Sequence, residues 1–393
     1  MRHPVSTRRA ARGMTLVELM VAVLISMVLT LAVFAIMVSF EGRRRTLSST
    51  ADLDRGAALA MFQVDRWVRS AGTGFAGSNA YAYGCTLYAA KAGTQLLPAP
   101  AALAAPFASV DTVFRLAPVL VLPGQTTPGA SGKASDVLVL MSGGAGGGGD
   151  VATQFSRSAE AGQLNLLTSL AFNANDLVLL ADQQPGSSGG PAPCLLTQAA
   201  TGFSGGAATA MPLGGSWYAA TVDKASVQSY SDSAVALNLG NVDQRQPPQF
   251  QLVGVGDSNT LFSYDLLQAA DEPLQARAQG VFELHALYGV DADGDNKADK
   301  WVSPSDSAWS VSALSAGTAA ATLQLKRIKA LRVGLIMRTS LPERDVVSPD
   351  TLAMFADIEG GTLTFSRTLT DLERHYRYRV VEATVPLRNN LLP

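Results

Sequence analysis

The stretch Gly13-Met14-Thr15-Leu16-Val17-Glu18 leads into an uncharged apolar run from Leu19 to Phe40, and this segment decides the fold. A short polar leader, residues 1–13, precedes it and carries Arg2, Arg8, Arg9 and Arg12. As a helix the apolar run would span about 33 Å, enough to cross a hydrocarbon core of about 30 Å. Because basic residues hold the near end of such a helix in the cytoplasm, the sequence predicts a single-pass inner-membrane anchor with its N-terminus inside.

The helix is predicted to continue well beyond the apolar run. No proline occurs between Met14 and Ser70, and the second half repeats at spacings of three or four residues. We expect one helix of about 55 residues, apolar all round at first and amphipathic later, with Gly42 and Gly56 as soft points. The face expected to pack on the rest of the protein consists of Leu47, Ala51, Asp54, Ala58, Met61, Phe62, Asp65 and Val68.

Glu18 does not suit a plain membrane anchor, because a lone carboxylate at the edge of an apolar run is costly to bury. One interpretation is an interfacial residue that stays hydrated. The other is a carboxylate with a partner that the helix itself does not supply. The residue types alone leave both interpretations open.

The whole N-terminal pattern resembles the type IV prepilin signature. It has the glycine before the cut, a large apolar first residue, Thr15-Leu16 with Glu18, and a long apolar helix, all behind a short basic leader. The resemblance implies that prepilin peptidase cuts between Gly13 and Met14 and methylates the new amino group. It also implies a partner for Glu18, namely the terminal ammonium of a neighbouring subunit, which would set the register of assembly.

Strand-like runs dominate the chain after residue 70 and several alternate apolar with polar residues, as half-buried antiparallel strands do. The clearest runs cover residues 136–141, 176–181, 249–255, 260–264, 281–290, 328–338 and 376–385. Gly/Ser/Ala/Pro-rich stretches at 98–106, 123–133, 142–150 and 185–193 predict long loops.

We therefore predict an α+β, type IV pilin-like fold, in which a long N-terminal helix packs on a β-rich, mainly antiparallel domain. The expected divisions are the leader at 1–13, the helix at 14–70 with its transmembrane part at about 19–40, and a periplasmic domain at 71–393.

The C-terminal part resembles the PilW-like minor pilins. The resemblance rests on Tyr288-Gly289-Val290, the Asp-rich loop after it, Trp301, and the final strand with His375-Tyr376-Arg377-Tyr378-Arg379. It implies a structural, non-enzymatic subunit that helps to start pilus assembly, with other minor and major pilins as partners. The alternatives are a minor pseudopilin of type II secretion (J type) and a calcium-dependent tip adhesin.

An Asp-rich loop, residues 291–299, is the strongest candidate for binding a ligand. Its alternating carboxylates follow the first part of an EF-hand loop, with a main-chain carbonyl as an added ligand. The expected Ca²⁺ ligands are Asp291, Asp293, Asp295, Lys297 and Asp299. At the sixth and twelfth positions Asn296 replaces glycine and Val302 replaces glutamate. A solvated turn is the alternative, because Asp, Asn and Gly favour turns without metal.

Cys85 and Cys194 are too few for a zinc site or a disulfide-dense scaffold. In an oxidising compartment they would form one bridge, which the chain-entropy model values at about 4 to 5 kcal/mol. The alternative is two unpaired thiols.

The remaining composition gives little reason to expect catalysis or nucleic-acid binding. The 30 basic and 32 acidic residues nearly balance. The basic residues Arg374, Arg377, Arg379 and Arg388 are interleaved with Tyr376 and Tyr378, but strand alternation predicts opposite faces for the two types and hence a solvated arginine face. His285 and His375, both expected on strands, lack the spacing of metal ligands. The sequence thus predicts neither an enzyme nor a nucleic-acid partner.

Overall fold

The computed structural model describes residues 14–126, 134–144, 152–182, 192–241, 247–269 and 272–391. The leader, with Gly13 on one side of the predicted cut, lies outside these residues, as do parts of three predicted loops. The chain divides into two compact units, Met1–Asp52 and Leu53–Pro393.

One helix, α1, runs from Leu16 to Ser70 and so contributes to both units. In the first unit, Leu16–Met37 has a mean hydropathy of 2.9 and is long and apolar enough to cross a membrane, judged by length and composition. This span begins before the predicted 19–40, because Leu16 and Val17 extend the apolar run across Glu18. The hydroxyls of Ser26 and Thr30 donate to carbonyls one turn back, Val23 and Ser26, which keeps them satisfied in an apolar environment.

Within the second unit, the helix buries a different face from the predicted one. The buried positions are Leu53, Ala57, Ala60, Val64, Trp67 and Val68, again spaced by three or four. By contrast, Phe62 is 65% exposed and Leu47, in the first unit, is 70% exposed. Of the predicted face only Val68 is buried, and the prediction was wrong because spacing by three or four fits two adjacent faces of a helix equally well. The buried face combines large side chains, Leu53 and Trp67, with Ala57 and Ala60, whose small side chains allow close approach to the strands.

Within the described residues, the second unit also contains three short helices: α2 (Asn79–Ala82), α3 (Val311–Leu314) and α4 (Ala319–Arg327). Its first strands are β1 Leu87–Lys91, β2 Thr94–Leu97, β3 Val119–Thr126, β4 Ala134–Ser142, β5 Thr153–Gln154, β6 Gln163–Asn165, β7 Asp176–Ala181, β8 Cys194–Gln198, β9 Ala210–Pro212, β10 Thr221–Val222, β11 Ala225–Ser226 and β12 Val235–Asn241. The later strands are β13 Gln249–Gly256, β14 Thr260–Asp265, β15 Leu274–Gln279, β16 Val281–Val290, β17 Lys300–Val302, β18 Ile328–Arg338, β19 Thr351–Met354, β20 Phe365–Thr368 and β21 Tyr378–Pro386.

These strands form three larger sheets, of orders β2-β1-β8-β7-β12-β5, β15-β14-β13-β4-β3 and β17-β16-β18-β21. Pairing is antiparallel except between β1 and β8, as far as the described residues show. A main core joins the helix face to all three sheets. The predicted α+β class, with a long helix and a mainly antiparallel β-rich region, is confirmed.

A separate hairpin, β19–β20, covers the face of the four-stranded sheet that the helix does not use. Its Met354 and Phe355 are buried with Phe282 and Ile336 of the sheet. The hairpin can approach because β18 has a glycine here. A Cβ on Gly334 would lie 2.7 Å from Met354 Sδ and 2.9 Å from Phe355 Cζ.

The start of the last strand differs from its prediction. A 3₁₀ turn, Glu373–His375, precedes it, so β21 begins at Tyr378 rather than at residue 376. His375 therefore does not lie on a strand, and the expectation that it does was wrong. Its ring faces the carbonyl oxygen of Glu343, 3.0 Å from Nδ1, which holds the turn against the loop after β18.

Candidate functional site

The N-terminal motif forms a reciprocal cap at the start of α1. The backbone N–H and the hydroxyl of Thr15 both donate to Glu18 Oε2 at 3.0 Å, and the Glu18 N–H lies 3.3 Å from Thr15 Oγ1. This is a capping box, in which a threonine and a glutamate three positions apart satisfy each other's amides. First-turn N–H groups have no partner inside a helix, so the motif stabilises the helix start. In the single chain the Glu18 carboxylate is bound by its own helix.

The neighbours of this cap are exposed apolar side chains. Met14 is 66% exposed and Leu16 is 75% exposed. Gly13 lies outside the described residues, so the structure places the motif from Met14 onward. A chain that began at Met14 would carry its amino group one residue before the capping threonine.

The structure brings three of the five predicted cation ligands together. One carboxylate oxygen from each of Asp291, Asp293 and Asp299 lies within 4.8 Å of the others. Asp295 instead accepts the backbone N–H of Lys297 at 2.8 Å and its ammonium at 2.7 Å. The Lys297 ammonium lowers the pKa of the exposed Asp295 carboxyl. The loop thus offers a three-carboxylate cluster beside one internal ion pair.

The backbone of the loop is shaped by its first aspartate. Asp291 is buried and accepts the N–H groups of Gly294 at 2.6 Å and Asn296 at 3.0 Å. Asn296 has a φ of 67°, in the left-handed region where an EF-hand has glycine. Asparagine adopts this region more readily than most other residues, so the replacement of the EF-hand glycine by Asn296 at the sixth position preserves the turn.

A buried lysine ties this loop to the body. Lys329 Nζ donates to Asn296 Oδ1 at 3.0 Å and to the carbonyl oxygen of Asn390 at 2.7 Å. Burial lowers the pKa of Lys329. The loop therefore has an internal support that requires no metal, and any bound cation would share the site with a nearby ammonium.

Cys85 and Cys194 are joined in a disulfide, with their Cα atoms 5.6 Å apart. Both are buried and both lie at the start of strands: Cys85 shortly before β1 and Cys194 as the first residue of β8. These strands pair in parallel, with Leu87 opposite Cys194. The bond links two neighbouring strands that are 109 residues apart in the sequence.

Four charged residues form a buried cluster that the sequence reasoning missed. His285 Nδ1 lies 3.3 Å from Asp136 Oδ1, and its Nε2 lies 3.5 Å from Glu283 Oε2. Arg367 Nε on β20 lies 3.2 Å from the other oxygen of Glu283, and the ring of Phe365 stacks on His285. The signal in the sequence is the pair Glu283 and His285, alternate polar residues within the otherwise apolar strand β16.

Charge decides the protonation state of His285. Burial alone lowers its pKa, but the nearby acidic groups of Asp136 and Glu283 outweigh burial and raise the pKa to about 9. At neutral pH His285 is therefore positively charged beside these two acidic side chains. The arrangement joins β4, β16 and β20, which is a structural task.

The arginines of the last strand are paired with carboxylates. Arg379 pairs with Asp54 of α1, and Arg377 pairs with Glu343. Tyr378 lies on the opposite face, where its ring meets Phe282 edge to face. The predicted alternation of faces is found, and the arginine face is partly solvated: the side chains of Arg377 and Arg379 are 39% and 52% exposed while they pair with their acidic partners.

Comparison with known families agrees with this arrangement at both ends of the chain. Residues 253–389 match the family model of type IV pilus-assembly protein W (PilW), and residues 8–34 match the prokaryotic N-terminal methylation motif. No curated protein and no solved structure gave a match. Both matched models describe pilin-related proteins rather than enzymes. Over these two segments, the methylation motif on the helix and the PilW segment near the C-terminus, the chain is similar to PilW-like proteins of the type IV pilin family.

Proposed function

We propose that the chain is a minor pilin of a type IV pilus, a structural subunit that helps to start filament assembly. The observation that carries the proposal is the N-terminal motif, with Thr15 and Glu18 placed at the first turn of a helix long enough to cross a membrane. The PilW match over residues 253–389 supports the assignment to pilus assembly.

Processing and topology follow from the same motif. Prepilin peptidase cuts between Gly13 and Met14 and methylates the Met14 amine. The basic leader keeps this end in the cytoplasm, so the second unit lies in the periplasm. The Cys85–Cys194 disulfide supports this location, because disulfides persist in oxidising compartments.

The geometry of the cap suggests how Glu18 serves two tasks. Both hydrogen bonds from Thr15 reach Oε2. Oε1 can then accept the Met14 ammonium of a neighbouring subunit while the cap stays in place. Two charges in an apolar bundle are each expensive alone but attract strongly as a pair, so the pair sets register between subunits.

The proposal is tested by deleting the gene and by locating its product. We expect few or no surface filaments in the deletion strain, recovery on complementation, and small amounts of the chain in sheared pili. A normal number of filaments without the chain would contradict a role in starting assembly. Normal filaments together with a block in protein export would instead favour a minor pseudopilin of type II secretion.

We further propose that loop 291–299 binds Ca²⁺ through Asp291, Asp293 and Asp299. Hard oxygen ligands and the left-handed Asn296 fit a calcium loop. Binding would be weak, because the EF-hand glutamate is missing and Lys329 adds a positive charge nearby. Such a loop would suit a calcium-dependent contact at the pilus tip.

Calcium titration of the full chain in detergent tests this second proposal. We expect Asp293→Asn to weaken Ca²⁺ binding at least about tenfold. The matched control is Asp295→Asn, which removes a carboxylate that is paired with Lys297 and lies outside the cluster. Equal affinity in wild type and Asp293→Asn would overturn it.

A further inference from the structure

The strand β21 ends the four-stranded sheet and has an open edge. Along its full length it pairs with β18, without any shift of register. No backbone hydrogen bond reaches its other side from any residue that the structure describes. The helix covers one face of this sheet and the β19–β20 hairpin covers the other, so the edge lies between them.

The outward-pointing groups of this edge follow from the pairing. The backbone N–H of Thr339 donates to the carbonyl oxygen of Arg377, and the N–H of Leu387 donates to the carbonyl oxygen of Lys329. Each pair lies directly opposite in the register, so the odd-numbered residues of β21 form the backbone hydrogen bonds to β18. In an antiparallel ladder the alternate residues point their N–H and C=O groups away. The outward amides therefore belong to Tyr378, Val380, Glu382 and Thr384.

Proteins normally protect such an edge with short strands, prolines, lysines or bulges. The other edges of the larger sheets fit this rule, because β2, β5 and β17 are short and the pairings of β3 and β15 contain bulges. The last strand has no bulge, no lysine and no proline before Pro386, and only Val385 is buried within it. Its two charged residues, Arg379 and Glu382, are already paired with Asp54 and Arg332. Its edge is long, regular and accessible.

A groove of about 400 Å³ runs beside this edge on the helix side. It lies between α1 residues Ala58, Met61 and Phe62 and β21 residues Arg379 and Val381. Phe62 is a large apolar side chain that the packing of the helix leaves 65% exposed. The nearby charges are already paired, Asp54 with Arg379 and Asp65 with Arg69, so the groove suits an apolar side chain.

We propose that the β21 edge accepts an extended segment of a different pilus subunit by strand addition, with one bulky apolar side chain of that segment in the groove beside Phe62. Main-chain hydrogen bonds would supply affinity and the groove would supply specificity, as in other cases of strand addition. The proposal rests on the proposed function, because it takes the partner from the pilus assembly.

The direction of the helix argues against a second copy as the partner. Asp54 pairs with Arg379 and the Ser70 carbonyl accepts from Asn389, so helix and strand run in the same direction. Antiparallel self-pairing through this edge would require a twofold axis that reverses strand and helix together. The two helices would then point in opposite directions, which subunits inserted alike in one membrane cannot do.

Hydrogen exchange of the full chain in isolated membranes tests the proposal. Two membranes are compared, one from cells with the complete set of pilus proteins and one from cells in which this chain is the only pilin. We expect the outward amides of residues 378–384 to exchange about tenfold more slowly in the first. Equal exchange in both membranes would overturn the proposal, and if the outward amides then exchange as slowly as the amides of β21 that bond to β18, the edge is paired with a second copy instead.

A proline at an outward position provides the matched variant. Thr384→Pro removes an outward N–H but no bond to β18, whereas Thr384→Val loses only the hydroxyl that Arg332 contacts. We expect Thr384→Pro to lose the slowed exchange and to fall about tenfold in the filament fraction, with Tm and N-terminal cleavage unchanged. Thr384→Val should behave as wild type.

Filament incorporation of Thr384→Pro at the wild-type level would overturn the proposal. If the proposed function itself were incorrect, the result would be different, because the wild-type chain would then keep its leader and would be missing from pili.

Discussion

At the scale of single residues, the Glu18 carboxylate has two separable properties, its ability to accept hydrogen bonds and its charge. Glutamine can replace glutamate in a capping box but carries no charge. We expect Glu18→Gln to keep the helix start and the cleavage yet to assemble poorly, like Glu18→Ala. The measurement is the amount of cleaved chain in membranes and in sheared pili. Normal assembly of Glu18→Gln would show that capping, not charge, is what matters.

His285 gives a second residue-scale prediction, because its pKa is about 9 in the fold and about 6.5 when unfolded. A raised histidine pKa stabilises the fold fully below about pH 6.5, and this contribution is lost as pH rises through about 9. We expect the free energy of unfolding to fall by up to about 3 kcal/mol across this window. His285→Gln should remove most of that slope. An unchanged slope in denaturant titrations would contradict the assignment.

These two sites differ in how far sequence could predict them. Thr15 and Glu18 are three residues apart, so their contact follows from helix geometry alone. Asp136, His285 and Arg367 come from three different strands, and only the fold brings them together. The alternate polar residues of β16 indicate a buried polar cluster, but they do not identify its members on other strands.

At the scale of elements, the hairpin β19–β20 depends on a glycine in the strand beneath it. A methyl group on Gly334 would press on Met354 and Phe355, so we expect Gly334→Ala to lower stability by about 1 to 3 kcal/mol. The control is Gly202→Ala, where nothing lies within 4 Å and a change within about 0.5 kcal/mol is expected. Equal unfolding free energies for the two variants would contradict this packing.

The helices and strands also show what the spacing of apolar residues in the sequence can and cannot predict. The helix and the long apolar strands, such as β7 and β16, were predicted close to their observed ends. The packing face of α1 was not, because spacing by three or four fits two adjacent faces equally well. The choice between Ala60 and Phe62 depends on how closely the strands approach, which is tertiary information.

At the scale of the whole molecule, the disulfide joins two cysteines that are 109 residues apart and so closes a large loop of the chain. Reduction should lower the free energy of unfolding by about 4 to 5 kcal/mol in the chain-entropy model. We expect urea midpoints of the full chain to fall with reductant, and those of a Cys85→Ala/Cys194→Ala double variant not to respond. A reductant effect below about 1 kcal/mol would contradict a stabilising bridge.

The mass of the N-terminal peptide in purified pili shows whether this chain is a processed pilin subunit. We expect a chain that begins at N-methylated Met14, after loss of residues 1–13. A chain that retains Met1 in cells with an active prepilin peptidase, or that begins at any other residue, would contradict it.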